Sequence, residues 1–375
     1  MNRQLFLIGD DLLNQYMQRA IDLAMNGTGL VAPNPLVGAV IVRDGEIIGE
    51  GWHAKYGGLH AERHALSRCT KPPEGADIYV TLEPCCHFGK QPPCTQALID
   101  AGIKRVFVGS YDPNPLVSGK SGEVLRNAGI EVIYEVMKDE CDSLNPFFFY
   151  YITHKMPYVI CKYAMSADGK IACSNGSSKW VTGEEARRNV QKTRKAVSAI
   201  MVGIETVLAD DPSLLCHMEE PVHPVRVVCD THLRLPEDCF LVRSAAESPV
   251  IVMTCSDDSD KIRRLETMGA EVCIVPEKDG HTDIAEVLGR LAEKGLSSVL
   301  IEGGARLHGS ALRSGLVCEV QTYIAPKIVG GDGLPAVGDM FLTDMNKAIC
   351  MNAPEVKAFG QDILLTYKMK GVLNI

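Results

Sequence analysis

Three side chains of the kinds that bind soft divalent metals occur in the first half of the chain: His60, Cys85 and Cys94. His60 opens the run His60-Ala61-Glu62, and the cysteines lie in TLEPCCHFGKQPPC, residues 81–94. One imidazole and two thiolates suit zinc, and three protein ligands leave a fourth position for water. Zinc lowers the pKa of such a water until hydroxide exists near neutral pH. Glu62 stands beside these ligands without being one. It can take a proton from the water and deliver it to a leaving group. Glu62 is thus the catalytic candidate, with His60, Cys85 and Cys94 as metal candidates.

The order H-x-E followed by P-C, here His60, Glu62, Pro84 and Cys85, is that of zinc deaminases. The second cysteine departs from the usual P-C-x-x-C, because eight residues separate Cys85 from Cys94. Two rival readings use the same segment. His60 and His64 share a helix face, as in H-E-x-x-H peptidases, but that motif needs glutamate where Ala61 stands. A closed structural zinc would favour a further ligand such as His87, and no C-x-x-C pair supports it. Cys86 reads as a packing residue.

Elements must position these groups. Leu13, Met17, Ala20, Ile21 and Ala24 recur at helical intervals, with Asp10 as N-cap and Gly27 as stop. LVGAVIV (36–42) is an apolar strand, RDGE carries an Asp-Gly hairpin signal, and IIGEGWH returns as the next strand. A helix over 60–69 and a strand in DIYVTLEPC lead into the cysteine segment. Further helix-then-strand pairs point to an α/β layer fold. Composition shifts at CDSLNPFFFYYITHKMP (141–157), and the chain divides into residues 1–148 and 149–375. The run FFFYY is expected to pack between the halves rather than to stack bases, since basic residues do not flank it densely. The second half alternates strands and helices again from YVICKYAMSADGKIA to EVQTYIAPKIV, giving a second α/β domain.

The whole chain sets limits on this chemistry. With 375 residues, two domains are expected. A net charge of −9 argues against a protein that grips nucleic acid, and leaves room for a local pocket for one small phosphorylated molecule. The 14 cysteines are spread along the chain, the start lacks the long apolar core of a signal peptide, and no apolar run reaches membrane-spanning length. These features predict a cytoplasmic protein with reduced thiols and no membrane partner.

PNPLVGAVIV, HAERHAL, TLEPCCHFGKQPPC and YDPNPLVSG, with KYAMSADGKIA, SKWVTGEEAR, TVLADDPSL, LIEGG and YIAPKIVGG, resemble the bifunctional riboflavin-biosynthesis deaminase/reductase family over nearly the whole chain. The long Cys85–Cys94 spacing is the spacing of that family. The resemblance implies a cytidine-deaminase-like first domain with one Zn2+, which removes an amino group from a diamino-hydroxy-pyrimidine carrying ribosylamino phosphate. It implies a dihydrofolate-reductase-like second domain, which reduces the ribosyl group to ribityl with NADPH, and a homo-oligomer. Asn34 would line the pyrimidine pocket, although Pro-Asn-Pro is also an ordinary turn. His53 and Lys55 precede the metal helix and could face the substrate; for His53 an ordinary surface histidine is the competing reading.

The second half contains no G-x-G-x-x-G after a strand. SSVLIEGGARLHGSAL is the nearest equivalent: a strand ends at Gly303-Gly304 and a helix starts, an arrangement that lets amides approach phosphate. The resemblance implies a cofactor cradle over Gly304, Ala305, Arg306, Leu307, His308, Gly309 and Ser310. Ala164, Trp180, Thr206, Asp210 and Thr231 would also contact NADPH. Substrate contacts fall on Ser178, Arg194, Leu214 and Glu302. Arg194 suits the 5-phosphate. His217 holds a position where arginine is frequent in the family, which suggests weaker phosphate binding or compensation by Arg187. Lys162 and Asp210 are the candidates for proton delivery; an ion pair is the competing role for Lys162.

Overall fold

The computed structural model describes residues 10–87, 92–114 and 118–371. The chain divides into two units, Met1–Lys155 and Met156–Ile375. The expected division at 148/149 falls inside the helix Pro146–His154.

In the first unit, helix α1 (Asp10–Ala24) buries Leu13, Met17, Ala20, Ile21 and Ala24, the positions that share one helical face. Strands β1 (Gly38–Arg43) and β2 (Glu46–Trp52) form a hairpin. Its turn residues Asp44 and Gly45 have φ of 52° and 81°, as a two-residue hairpin turn of the primed type requires. Then follow α2 (Ala61–Ser67), β3 (Asp77–Leu82), α3 (Cys94–Asp100), β4 (Arg105–Ser110), α4 (Lys120–Asn127), β5 (Glu131–Ile133), α5 (Lys138–Leu144) and α6 (Pro146–His154). The sheet order is β2-β1-β3-β4-β5, with β1 antiparallel to both neighbours and β3, β4 and β5 mutually parallel.

Alternation along each strand sends side chains to opposite faces. Ala39, Ile41, Ile78, Val80, Val106 and Val108 pack with Ala61 and Ala65 of α2, Leu98 of α3 and Leu125 of α4. Val40, Val42, Tyr79 and Phe107 pack with α1 and with Cys141 of α5. The sheet is thus sandwiched between two helix layers. Gly51 sets the distance of one of them: a Cβ there would stand 2.2 Å from the Ala65 amide nitrogen, so a side chain would push α2 off β2. That contact fixes the start of α2, where His60 and Glu62 stand. The aromatic run forms α6, and its Phe148 and Phe149 cluster with Leu82 inside this unit.

The second unit contains β6 (Tyr158–Ser166), β7 (Lys170–Ala172), α7 (Glu184–Ala196), β8 (Ala199–Gly203), α8 (Ile204–Asp210), β9 (Val225–Cys229), α9 (Phe240–Arg243), β10 (Val250–Thr254), α10 (Ser259–Thr267) and β11 (Glu271–Ile274). It continues with β12 (Glu277–Lys278), β13 (His281–Thr282), α11 (Ile284–Glu293), β14 (Ser298–Gly303), α12 (Ala305–Arg313), β15 (Glu319–Ala325), β16 (Leu334–Pro335), β17 (Glu355–Phe359) and β18 (Asp362–Lys368). The main sheet runs β11-β10-β9-β8-β14-β6-β15-β18-β17, parallel until β18 pairs antiparallel with β15 and β17. Met201, Val227 and Ile301 belong to the core on one face, with Leu288 and Leu291 of α11; Ile200, Val228 and Val252 belong to the other, with Leu241 and Leu265. A parallel sheet covered on both faces explains the continuous apolar runs of its strands.

Candidate functional site

His60 is the N-cap of α2, Cys94 is the first residue of α3, and Cys85 follows β3. Two ties close the gap between the distant cysteines. The Thr95 amide donates to the Cys85 carbonyl at 3.2 Å, and Arg63 donates to the carbonyls of Pro92 and Pro93 at 3.2 and 3.0 Å. His60 Nδ1 then lies 3.5 Å from Cys85 Sγ and 3.4 Å from Cys94 Sγ, and the three donor atoms lie within 4.8 Å of one another.

This geometry fits a metal. Zinc–sulfur bonds of about 2.3 Å and a zinc–nitrogen bond of about 2.0 Å at a tetrahedral angle separate nitrogen from sulfur by about 3.5 Å. A single ring nitrogen cannot form good hydrogen bonds to two sulfurs at once, but an ion among the three atoms can bind all of them. The Cys94 amide also donates to Cys85 Sγ at 3.3 Å, supporting thiolate character there. Among the described residues this is the only group of three such ligands in reach of one ion. Replacing Cys94 with serine is expected to drop zinc well below one ion per chain by elemental analysis, with the far-ultraviolet spectrum unchanged. Full retention of zinc would remove Cys94 from the ligand set.

Glu62 is 3 % exposed on the first turn of α2 and lines, with His60 and Cys85, a cavity of about 310 Å³. Burial, and then the Cys85 thiolate, push its carboxyl above the usual range. His64 is turned away: its Nδ1 lies 2.9 Å from the Trp52 carbonyl and its ring packs on the Trp52 indole, which removes the peptidase reading. Neither Cys86 nor His87 joins the donor cluster, although His87 lines the cavity.

Asn34 lines the cavity, and its Nδ2 lies 3.2 Å from His53 Nε2. The competing surface reading of His53 is corrected: the residue is 3 % exposed, edge-on to His60, with Nδ1 2.9 Å from the Leu59 carbonyl. β2 ends just before it and the loop folds back over it, which no local periodicity signals. Lys55 is exposed and does not line the cavity. The sequence reading missed Glu83, Asp112 and Asn114 as cavity residues. Burial lifts the Asp112 carboxyl to about 6, with Glu83 and Cys85 adding to the effect. The signal for two of them was the segment YDPNP itself, polar residues directly after a buried parallel strand.

In the second unit, residues from the neighbouring strands β9, β8, β14 and β6 converge. Lys162 and Ala164 lie on β6, Glu302 near the end of β14, Thr206 and Asp210 on α8 after β8, and Thr231 after β9. The carboxyl ends of parallel strands are where such sheets bind ligands. Gly304, with φ of 86°, caps α12; the first intrahelical bond runs from His308 N to the Gly304 carbonyl. The amides of Ala305, Arg306 and Leu307 therefore lack intrahelical partners and can meet a phosphate. A Cβ at Gly303 would stand 2.8 Å from Thr206 Oγ1, so Thr206 sits directly against this bend.

The later part of the expected cradle turns inward. Leu307, His308 and Gly309 are buried, and the His308 ring nitrogens lie 3.1 and 3.4 Å from the Ala336 and Ile301 carbonyls. Ser310 accepts from Arg313. Arg194 Nε and Nη2 hold Glu302 at 3.0 and 2.7 Å, and Nη1 donates to the Leu215 carbonyl. Despite burial, Arg194 and then Lys162 keep the Glu302 carboxyl down at about 2. Leu214, with φ of 55°, puts its side chain in the core. His217 is exposed, with Nε2 3.2 Å from Ser213 Oγ. The Arg187 guanidinium stacks 4.5 Å from the centre of the Trp180 ring. Ser178 lies in the loop before Trp180, and Asp210 stands 3.9 Å from Lys179 on the surface. Lys162 has no carboxylate within 4.0 Å among the described residues; its ammonium sits 5.8 Å from the Tyr323 ring centre, and burial pulls its pKa down.

The comparisons agree with both halves. Residues 11–110 match the cytidine and deoxycytidylate deaminase zinc-binding region, and residues 157–365 match the RibD C-terminal domain. The riboflavin biosynthesis protein RibD of Actinobacillus pleuropneumoniae is 50 % identical over 353 residues, 94 % of this chain and 94 % of that protein. RibD of Escherichia coli strain K12 is 37 % identical, covering 93 % of this chain and 97 % of that protein. A Thermotoga maritima structure, described as a diaminohydroxyphosphoribosylaminopyrimidine deaminase/5-amino-6-(5-phosphoribosylamino)uracil reductase, superposes with a TM-score of 0.86 at 38 % identity, over 96 % of this chain and 99 % of that one. With a zinc-type donor set in one α/β unit and a reductase fold in the other, the chain belongs to the RibD family, the bifunctional deaminase/reductases of riboflavin biosynthesis.

Proposed function

We propose that the first unit deaminates 2,5-diamino-6-ribosylamino-4(3H)-pyrimidinone 5′-phosphate. The second unit would then reduce the ribosyl group of the product, 5-amino-6-(5-phosphoribosylamino)uracil, using NADPH. The observation that carries the first step is Glu62, buried at the wall of a cavity that His60 and Cys85 also line, with the Cys85 and Cys94 sulfurs within 3.5 Å of His60 Nδ1. His60, Cys85 and Cys94 would hold zinc, which when bound supplies Lewis acidity that makes water a competent nucleophile. Glu62 takes a proton from the attacking water and passes it to the departing amino nitrogen, so water and the amine become carbonyl and ammonia. Asn34 and His53 on one side, and Asp112 and Asn114 on another, present hydrogen-bonding groups to a polar ring.

For the second step, the amides of Ala305–Leu307 and the exposed Trp180 ring offer a phosphate cradle and a stacking surface for the nucleotide. NADPH when bound supplies hydride to C1′. The C1′–O4′ bond opens and O4′ takes a proton, for which Lys162, half-buried on β6, is the better placed of the two candidates, since Asp210 lies at the surface. Arg194 holds Glu302 near Lys162 and remains the proposed contact for the substrate's 5-phosphate. No disulfide joins the described cysteines, and no described helix is long and apolar enough to cross a membrane.

NADPH oxidation started with the diamino substrate tests the whole scheme, because that substrate must lose its amino group before it is reduced. NADPH consumption that requires Glu62 is the expected result. Ammonia release without NADPH consumption would remove the reductase assignment, and the absence of both would remove the two assignments together. Light scattering on the same preparation reads whether the chain forms the expected homo-oligomer.

A further inference from the structure

Glu83 lies just ahead of Cys85 at the cavity wall, is 3 % exposed and takes no part in the donor cluster. Its carboxylate has a different employment. Oε2 accepts from the Asp112 amide at 3.4 Å and the Gly119 amide at 3.1 Å. Oε1 accepts from the Tyr134 hydroxyl at 3.0 Å and from the Ser121 hydroxyl. A carboxylate offers about four lone-pair positions. Four donors fill them, which leaves none for a substrate. The Glu83 amide also donates to the Ser110 carbonyl at 3.0 Å, so the clamp is rooted where β3 and β4 end.

The donors come from both ends of the connection between β4 and α4. Asp112 leaves β4, Gly119 is the N-cap of α4 and Ser121 is in its first turn, while Tyr134 follows β5. That connection gives Asp112 and Asn114 to the cavity. Neither residue belongs to a strand, so no ladder of backbone bonds fixes its position. Locally, the Asn114 amide donates to Asp112 Oδ1 at 2.8 Å and the Ser118 amide to the Asn114 carbonyl at 2.9 Å. Hydrogen bonds to a carboxylate are roughly twice as strong as neutral ones, so the Glu83 contacts are a strong attachment of Asp112 and of the start of α4 to the end of β3.

We propose that Glu83 is a positioning residue for substrate recognition by the deaminase: its carboxylate ties Asp112 and the start of α4 to the end of β3, and so holds Asp112 and Asn114 where they meet the polar edge of the pyrimidine substrate. This rests on the cavity being the deaminase site. Chemistry distinguishes the clamp from a requirement for charge. In Glu83→Gln the amide oxygen can face the two backbone amides, while its NH2 faces the Ser121 and Tyr134 hydroxyls, which can turn to accept. Glu83→Ala abolishes all four contacts.

The experiment uses the full zinc-loaded chain and the diamino substrate. Glu83→Ala is expected to raise the deaminase KM by about tenfold or more with kcat within about threefold, and Glu83→Gln to stay within about threefold of the parent in both. Zinc content and the reductase rate on the deaminated pyrimidine should not change in either variant. Asp112→Asn, measured alongside, separates two failures. If it raises KM while Glu83→Ala does not, the positioning role is overturned and the cavity reading stands. If neither moves KM, the cavity reading falls and takes the proposal with it. Equal damage in Glu83→Gln and Glu83→Ala would also overturn the clamp, since the requirement would then be for charge. Should Glu83→Ala lose zinc, the double variant Ser121→Ala/Tyr134→Phe decides: a KM rise of about threefold supports the clamp and an unchanged KM overturns it.

Discussion

Glu62→Gln is expected to slow ammonia release by about 10²–10⁴-fold while zinc content stays that of the parent. Glutamine preserves the shape of a side chain that is 3 % exposed, so packing around α2 is undisturbed. It cannot accept and return a proton, which is the one thing the mechanism asks of this residue. His60, Cys85 and Cys94 meet without Glu62, so the metal has no reason to leave. Burial, and then the Cys85 thiolate, lift the Glu62 carboxyl above its ordinary range, the direction that makes a carboxylate a stronger base. Ammonia and elemental zinc measured on the same sample check the claim, and ammonia release at the parental rate would sink the proton shuttle. The reductase rate on the deaminated pyrimidine should remain parental, which guards against a folding defect.

Lys162→Met is expected to produce the complementary loss: reduction of the deaminated pyrimidine falls by about 10²–10⁴-fold and ammonia release is unchanged. Methionine fills a similar volume and leaves the Arg194–Glu302 pair in place. The Lys162 ammonium has no carboxylate within 4.0 Å among the described residues, and desolvation depresses its pKa. A cation whose folded pKa lies below its unfolded value binds its proton less tightly in the native state. Stability therefore rises as pH climbs through the window between the two values and is penalised below it. Methionine removes that penalty, so the melting temperature at neutral pH should not fall, and lost activity cannot be attributed to unfolding. In the parent, the protonated amine needed for proton delivery disappears as pH rises, at a pH below the ordinary lysine value. NADPH oxidation should show this alkaline decline, while a parental rate in Lys162→Met would move proton delivery to another group.

Much of this arrangement was legible along the chain. The helical spacing of Leu13, Met17, Ala20 and Ile21 gave α1, the Asp44-Gly45 pair gave the first hairpin, and apolar runs bounded by turns gave the parallel strands. Each is a local property, decided by residues within a few positions of one another. The division at 148/149 was less accurate because α6 carries the aromatic run past it, and an aromatic helix does not disclose whether its partner is Leu82 of its own unit or a surface elsewhere.

The amino-acid sequence alone determined the donor types: His60, Glu62, Cys85 and Cys94 were identifiable because zinc hydrolysis demands an imidazole, thiolates and a nearby carboxylate. Tertiary structure decided which of the competing groups converge. His64 was excluded by its bond to the Trp52 carbonyl, His53 was moved from surface to cavity, and Arg194 was paired with Glu302. Glu83 became visible only when Asp112, Gly119, Ser121 and Tyr134 were brought around it. The reason is physical. A side chain's type is fixed by its own atoms, whereas burial, hydrogen-bond partners and pKa depend on groups separated by tens of residues in the chain, which only packing of the helices on the sheets brings within reach.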